Sequence, residues 1–289
     1  MINKFFQTIF TLAKVVFKSN YFIKMKKSTA QDIIVLGNGP SLQQDILNNW
    51  EIFEKKELAV VNHFCHSEFF FQLKPKSYFL LDPAFFNNSN SLENVEKTFQ
   101  ILTNEVDWDI AFYIPYRSRK SALAQALKEI NQFKVHFVNY VPAKGGFQRI
   151  NHLLFDLNLA MPQCQNVIVY TLFIVAKKKP EQIFLFGAEN DWHTNVKVNK
   201  DNYLVLHDSH LYEEKKSAIE RILYNSRDKS KRTTMVDLLE SSVKVFKGYM
   251  EVRKYAQKKK VQIYNCSKNS FIDTFERLND EEFAKTISN

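Results

Sequence analysis

The sequence predicts an α/β fold, a mostly parallel sheet wound with helices, and three observations carry that prediction. From Asp32 onward, short apolar runs rich in β-branched and aromatic residues alternate with helical patterns. The first run, Asp32-Ile33-Ile34-Val35-Leu36, passes straight into Gly37-Asn38-Gly39-Pro40-Ser41-Leu42, which reads as strand, glycine turn and helix start. Polar residues also gather where five strands end, at Gly37–Ser41, Asn62-His63, Asp82-Pro83, Gly187–Asp191 and Asn265–Ser270. Open α/β sheets bind ligands beyond the carboxyl ends of their strands.

Taken in order, the chain opens with a segment unlike the rest. In residues 1–27, Phe5, Phe6, Ile9, Phe10, Leu12, Ala13, Val16 and Phe17 are interleaved with Lys4, Lys14, Lys18, Lys24, Lys26 and Lys27, and there is no acid. The segment is too short and too interrupted by Lys14 to span a bilayer, and no small-residue cleavage site follows it. A basic amphipathic helix on an anionic membrane face fits, as does a helix packed on the protein's own core. Met25 offers an internal start.

In the turn after the first strand, Gly37 and Gly39 are free to take positive φ and to let a ligand approach the main chain. Ser41 is a candidate N-cap, with Leu42, Ile46 and Leu47 as the inner helix face. Backbone N–H groups and a helix dipole there suit an anion or nucleotide, although a tight turn with no ligand has the same letters. The turn is neither G-x-G-x-x-G nor a Walker A loop. Further strands are expected at 58–62, 77–81, 109–115, 134–138, 182–187 and 261–265. A buried helix is expected over Asn166–Lys177, ended by Pro180, and another over Met235–Lys259 with Val236, Leu239, Val243, Phe246, Met250 and Tyr255 on or near one face. Between them the polar stretch Thr194–Thr233 reads as a lid.

Composition bounds the partners. The 289 residues are 45% hydrophobic, with 26 Phe, 12 Tyr and only 6 Gly, and carry a net charge of +9. A sizeable core and an anionic partner follow. Nucleic acid is disfavoured, since no zinc-finger, RNP-like or basic-zipper pattern occurs. Cys65, Cys164 and Cys266 are scattered and odd in number, as reduced cytosolic thiols are.

Two H-x-x-H pairs, His63/His66 and His207/His210, raise zinc, but neither has a third ligand nearby in sequence. His136, in an apolar strand, reads as a hydrogen-bonded core residue. His207-Asp208-Ser209-His210-Leu211-Tyr212 is better placed for catalysis, because an imidazole near neutrality can take a proton from an acceptor hydroxyl. Asp107-Trp108-Asp109 has the letters of a metal-binding D-x-D but precedes its strand; Glu189-Asn190-Asp191 follows one. A diphosphate leaving group usually needs a divalent ion, whereas a nucleoside monophosphate can leave with N–H groups and Tyr hydroxyls alone, so the weak metal signal tilts towards a CMP-linked donor.

The stretch Asp32–Leu42, with Val61-Asn62-His63-Phe64, Ile183–Glu189, Ser209–Tyr212 and Ile263–Phe271, resembles the bacterial lipooligosaccharide sialyltransferases that use CMP-N-acetylneuraminic acid. Where those enzymes have Asn-Pro this chain has Asp82-Pro83, and Asn166-Val167-Ile168 stands in place of their Thr-Ser-Gly. The same islands are similar to polysaccharide-locus proteins related to the 6-hydroxymethylpterin diphosphokinase-like family. The resemblance, which touches most of residues 32–275, implies a Rossmann-like, GT-A-variant domain; with the polar stretch read as a lid at about 190–232 and the basic amphipathic segment read as membrane-associating over 1–27, the expected catalytic domain is 28–289. It implies an inverting glycosyltransferase moving an acidic sugar, sialic-acid-like or Kdo-like, from a CMP donor to a bacterial surface glycan. His210 would be the catalytic base. Gly37, Asn38, Gly39, Pro40, Ser41, Asn62, Asp82, Glu189, Tyr203, Tyr212, Asn265, Ser267 and Ser270 would line the nucleotide and substrate site. No cofactor would be required. The alternatives are a Mg²⁺-dependent pterin diphosphokinase-like enzyme, with Mg²⁺ on acids such as Asp82, Glu189 or Asp191, and a non-catalytic nucleotide-binding protein of a polysaccharide assembly complex. The expected location is the cytoplasmic face of the membrane; homo-oligomer formation stays open.

Overall fold

The computed structural model describes residues 1–25, 27–87, 93–206, 221–224 and 230–288; His207, His210 and Tyr212 lie outside the described residues. Helix α1 (Ile2–Lys18) precedes the sheet. The first half then runs β1 (Asp32–Leu36), α2 (Leu42–Asn48), α3 (Trp50–Lys55), β2 (Glu57–Val61), α4 (Glu68–Leu73), β3 (Ser77–Phe79), α5 (Glu93–Asn104), β4 (Ile110–Pro115), α6 (Ala122–Glu129) and β5 (Phe133–Val138). The second half runs β6 (Pro142–Ala143), α7 (Gln148–Asp156), β7 (Met161–Pro162), α8 (Val167–Lys178), β8 (Gln182–Phe186), β9 (Val196–Val198), β10 (Leu204–Leu206), β11 (Arg221–Ile222), α9 (Met235–Lys259), β12 (Gln262–Asn265), β13 (Glu276–Arg277) and α10 (Asp280–Ser288).

Eight strands form one sheet in the order β13-β12-β8-β1-β2-β3-β4-β5, and every pairing within it is parallel. The fold class is therefore the α/β class expected, with a wholly parallel main sheet. A strand with helices on both sides has no solvated face, which is why β1 is an unbroken apolar run after Asp32 and buried throughout. Successive side chains point to opposite faces. Ile33, Val35, Ile183 and Leu185 pack into the core shared with α8 and α9. Ile34, Leu36, Phe184 and Phe186 pack against Leu42, Ile46, Phe53 and Phe283 on the other side. From β1 the chain adds strands in one direction to β5, then returns to place β8 on the opposite side of β1. The β1/β8 pair is thus the point where the winding reverses.

The helix expected to start at Asn166 does so: its side chain accepts a hydrogen bond from Val169 N–H at 2.9 Å, and Lys179 in the left-handed region ends the helix before Pro180. Helix α9 has the expected bounds, and of the six residues expected on or near one face Tyr255 is buried and Phe246 half-buried, but the buried face is centred elsewhere. Val245, Gly248, Tyr249, Val252, Tyr255 and Ala256 face inward, whereas Val236, Leu239, Val243 and Met250 are exposed. The reason is at Gly248, where a Cβ would lie 2.9 Å from Val169 Cγ1, so only the Gly248 face brings α9 close to α8. Leu47, expected inside, is also exposed. The stretch read as a lid contains a three-stranded antiparallel sheet, β9-β10-β11.

His136 sits half-buried on the edge strand β5 and stacks on Tyr113, with ring centres 5.1 Å apart. Asp107 pairs with Lys74 at 3.4 Å on the surface just before β4, at the end of the sheet away from the glycine turn. The three cysteines are buried and unpaired. Among the described residues no helix is long and apolar enough to cross a membrane.

Candidate functional site

At the reversal point the turns that leave β1 and β8 travel together. Gly37 N–H donates to Phe186 O at 2.9 Å, and Gly39 N–H donates to Gly187 O at 2.9 Å. Gly187 has φ +62°, the left-handed turn that glycine adopts without cost. Gly37 and Gly39 do not take positive φ. Their lack of a side chain serves contact instead, since a Cβ on Gly37 would sit 2.1 Å from Gly187 O and one on Gly39 1.5 Å from Glu189 Oε2. The space expected for a ligand against this main chain is filled by the second turn.

Glu189 completes that packing. Its Oε1 accepts a hydrogen bond from Ser41 N–H at 3.0 Å, so the protein's own carboxylate occupies the positive end of α2. The residue is buried and its Oε2 has no hydrogen-bond partner among the described residues. Burial pushes the Glu189 carboxyl above the usual range, and the hydrogen bonds from Ser41 oppose that shift. Ser41 Oγ donates to Asp45 Oδ2 at 3.2 Å instead of capping its own helix. Asp45 is buried too, with its carboxyl raised by burial, although Lys268 Nζ lies 3.1 Å away and also 3.5 Å from Asp280.

Beside this buried seam is a more open margin between the ends of β1 and β2. Asn38 spans it, with Nδ2 donating to Val61 O at 3.3 Å and Oδ1 buried without a hydrogen-bond partner among the described residues. Pro40 is exposed. Asn62 has φ +43°, and its Oδ1 accepts from Leu81 N–H at 3.4 Å while its carbonyl accepts from the Tyr78 hydroxyl. Asp82 is exposed and caps the short turn Pro83–Phe85 through Ala84 N–H at 2.9 Å.

On the far side of β8, Asn265, Ser267 and Ser270 spend their polar atoms on one another and on the chain. Asn265 Nδ2 donates to Ser270 Oγ and Ile272 O, each at 3.1 Å; Ser267 Oγ accepts from Ala188 N–H at 3.0 Å; and Ser270 Oγ donates to Ala188 O at 2.7 Å. They brace the Glu189 turn. Tyr203 is in the small sheet region, where its hydroxyl accepts from the Arg232 guanidinium at 2.6 Å.

Sequence reading missed one buried cluster. Asn190, with φ +54°, donates through Nδ2 to the Tyr249 hydroxyl at 3.0 Å, and Asn166 Nδ2 donates to the same hydroxyl at 3.1 Å. Burial raises the Tyr249 phenol. Asn166 stood only as the first residue of an expected helix, and nothing marks Tyr249 in a helix rich in apolar residues. The three acids with metal-binding potential do not converge: Asp82 and Glu189 cap separate turns, and Asp191 Oδ2 accepts from Asn195 Nδ2 at 3.1 Å. Among the described residues no three His, Cys, Asp or Glu side chains gather as metal ligands would.

His63 and His66 do meet, on a hydroxyl. Thr98 Oγ1 gives its proton to Asn94 O at 2.8 Å, so it accepts from His63 Nδ1 and His66 Nε2, both at 2.8 Å. Burial, with His63 and Lys97 nearby, pushes His66 down to about 4. The unfolded chain takes this proton near pH 6.5 and the folded one only near 4, so the neutral imidazole's contribution to stability is present above 6.5 and lost as pH falls through that window. Urea midpoints for the wild type should fall between pH 7.5 and 4.5, and His66→Gln should flatten that fall. An unchanged slope in the variant would place the acid sensitivity elsewhere.

No family model matches the chain, and no curated protein matches it. Among solved structures the chain is similar to the MAf glycosyltransferase from Magnetospirillum magneticum AMB-1, with 10% sequence identity and a TM-score of 0.47. That likeness covers 96% of this chain and 40% of the other, so this chain spans less than half the length of the protein it is similar to.

Proposed function

We propose that the chain is an inverting glycosyltransferase that moves an acidic sugar from a CMP donor to a surface glycan. The observation that carries the reading is the reversal of strand order at β1/β8, which puts the Gly-Asn-Gly-Pro-Ser turn where parallel sheets bind nucleotides. Because Glu189 already satisfies Ser41 N–H, the donor would lie along the open margin at Asn38, Pro40 and Asn62. Asn38 Oδ1, buried without a partner among the described residues, would accept a hydrogen bond from the cytidine amine or a ribose hydroxyl. In the transfer an acceptor hydroxyl oxygen attacks the anomeric carbon, its proton passes to the base, and the bond to CMP breaks with the electron pair leaving on phosphate. A monophosphate leaving group fits a site whose acids are each engaged separately.

Thermal unfolding with CMP, CDP, UDP, ATP and CTP, with and without Mg²⁺, tests the reading. A ligand at a hundredfold its Kd stabilises by about 2.7 kcal/mol, or roughly 4–5 °C in Tm for a chain of this size. CMP should give that shift without metal. A shift only with ATP and Mg²⁺ would favour the pterin diphosphokinase-like alternative, and no response to any nucleotide would favour a non-catalytic, membrane-scaffolding role in a polysaccharide complex.

A further inference from the structure

Helix α1 is attached to the body by its polar side. Gln7 Oε1 accepts from Gly146 N–H at 2.9 Å and Thr8 Oγ1 from Phe147 N–H at 3.0 Å, while Lys14 Nζ donates to Pro142 O at 3.3 Å. Beyond the helix end, Ser19 Oγ donates to Leu159 O at 2.6 Å and Asn139 brackets the Asn20 backbone. Gly145 and Gly146 have φ of +68° and +88°, and a Cβ on either would strike Gln7 or Thr8, so the turn is shaped to receive this helix. Thr8, Thr11 and Val15 are its buried residues.

At 3.6 residues per turn the opposite side carries Phe5, Phe6, Ile9, Phe10, Val16 and Phe17. Phe6 is 63% exposed, Phe10 64%, Phe17 84%, and Phe22 just beyond the helix 90%. This is an amphipathic helix seated with its apolar side outward, along about 25 Å. A contiguous apolar face of that length marks an interaction surface.

We infer that the outward face of α1 inserts into the interfacial region of an anionic lipid bilayer. Lys4, Lys14, Lys18, Lys24 and Lys27 accompany it, and no acid precedes Asp32. Apolar burial together with lysine attraction to anionic headgroups is the pair of terms such binding requires. A second copy fits worse, because pairing two such faces would draw together two sets of lysines with no acid between them. The helix is held on the body by the hydrogen bonds described, so docking would set the orientation of the whole sheet to the membrane.

Co-sedimentation of the full chain with vesicles of phosphatidylglycerol and phosphatidylcholine, against pure phosphatidylcholine, tests this. The wild type should partition at least tenfold more strongly onto the anionic vesicles, and Phe6→Ser/Phe10→Ser/Phe17→Ser should lose at least tenfold while keeping the wild-type Tm. Because these side chains are exposed, the triple variant should fold. Equal binding to both vesicles, equal binding by the triple variant, or a wild-type dimer that the triple variant dissolves would each overturn the inference. Nucleotide-induced Tm shifts are independent of all three outcomes.

Discussion

Gly37→Ala should cost about 3 kcal/mol, at the top of the range for overpacking a tight contact. Gly37 has no positive φ, so alanine is acceptable to its backbone and would by itself stabilise by about 0.4–1 kcal/mol through the unfolded chain. Overlap decides the sign. The new methyl would lie 2.1 Å from Gly187 O and 2.9 Å from Gly187 C, both backbone atoms, so β1 and β8 would have to part at the hydrogen bond between Gly37 N–H and Phe186 O. Gly39→Ala meets first the end of the Glu189 side chain and should cost less, although Gly187 O is 2.8 Å away. Urea unfolding checks this through the midpoint at constant slope. If Gly37→Ala matches the wild type, the two turns are not in contact in solution.

His210→Ala should lower kcat by about 10²–10⁴ with the donor KM little changed, the scale of a lost general base. This belongs to the proposed transferase reading and rests on the chemistry of Ser209-His210-Leu211-Tyr212 and its resemblance to the sialyltransferase segment. An imidazole can hold the acceptor proton near neutral pH, and Tyr212 or Tyr203 would donate to the departing phosphate; Tyr203 accepts from Arg232 and so keeps its own O–H to give. His207→Ala is the control, two i to i+3 neighbours being distinguishable only by activity. Near-normal turnover in both variants at saturating donor and acceptor would move the base to Asp191, which is half-buried, ahead of Glu189, which is buried and bonded to Ser41.

The strands were legible because a parallel sheet buried on both faces demands continuous apolar runs, and each run in this chain ends at a glycine, asparagine, aspartate or proline. The bounds of α9 were legible from its apolar content and the lysines at its end. Its orientation was not, since Val236, Leu239 and Val243 have the same helical spacing as Val245, Tyr249 and Val252, and only Gly248 against Val169 decides between them. The same limit applied at the glycine turn. Gly37-Asn38-Gly39 announces a close approach, but the sequence does not say whether a phosphate or a carboxylate 148 positions later makes it. Local letters specify the turn, and a long-range contact specifies its occupant.

The position of β8 beside β1 also has a consequence for synthesis. Asp32 pairs with Gln182, roughly 150 positions further along the chain. At ribosomal rates of about 5–20 residues per second, β1 emerges on the order of 10–30 s before its neighbour exists. During that interval β2 to β5 can add on one side as they appear, while the other edge of β1 is unpaired and the glycine turn has nothing beneath it. A nascent chain halted before residue 182 would therefore display a bare apolar strand edge, an aggregation-prone template, and the glycine turn would gain its partner only when β8 arrives, with β12 and β13 still to complete the sheet.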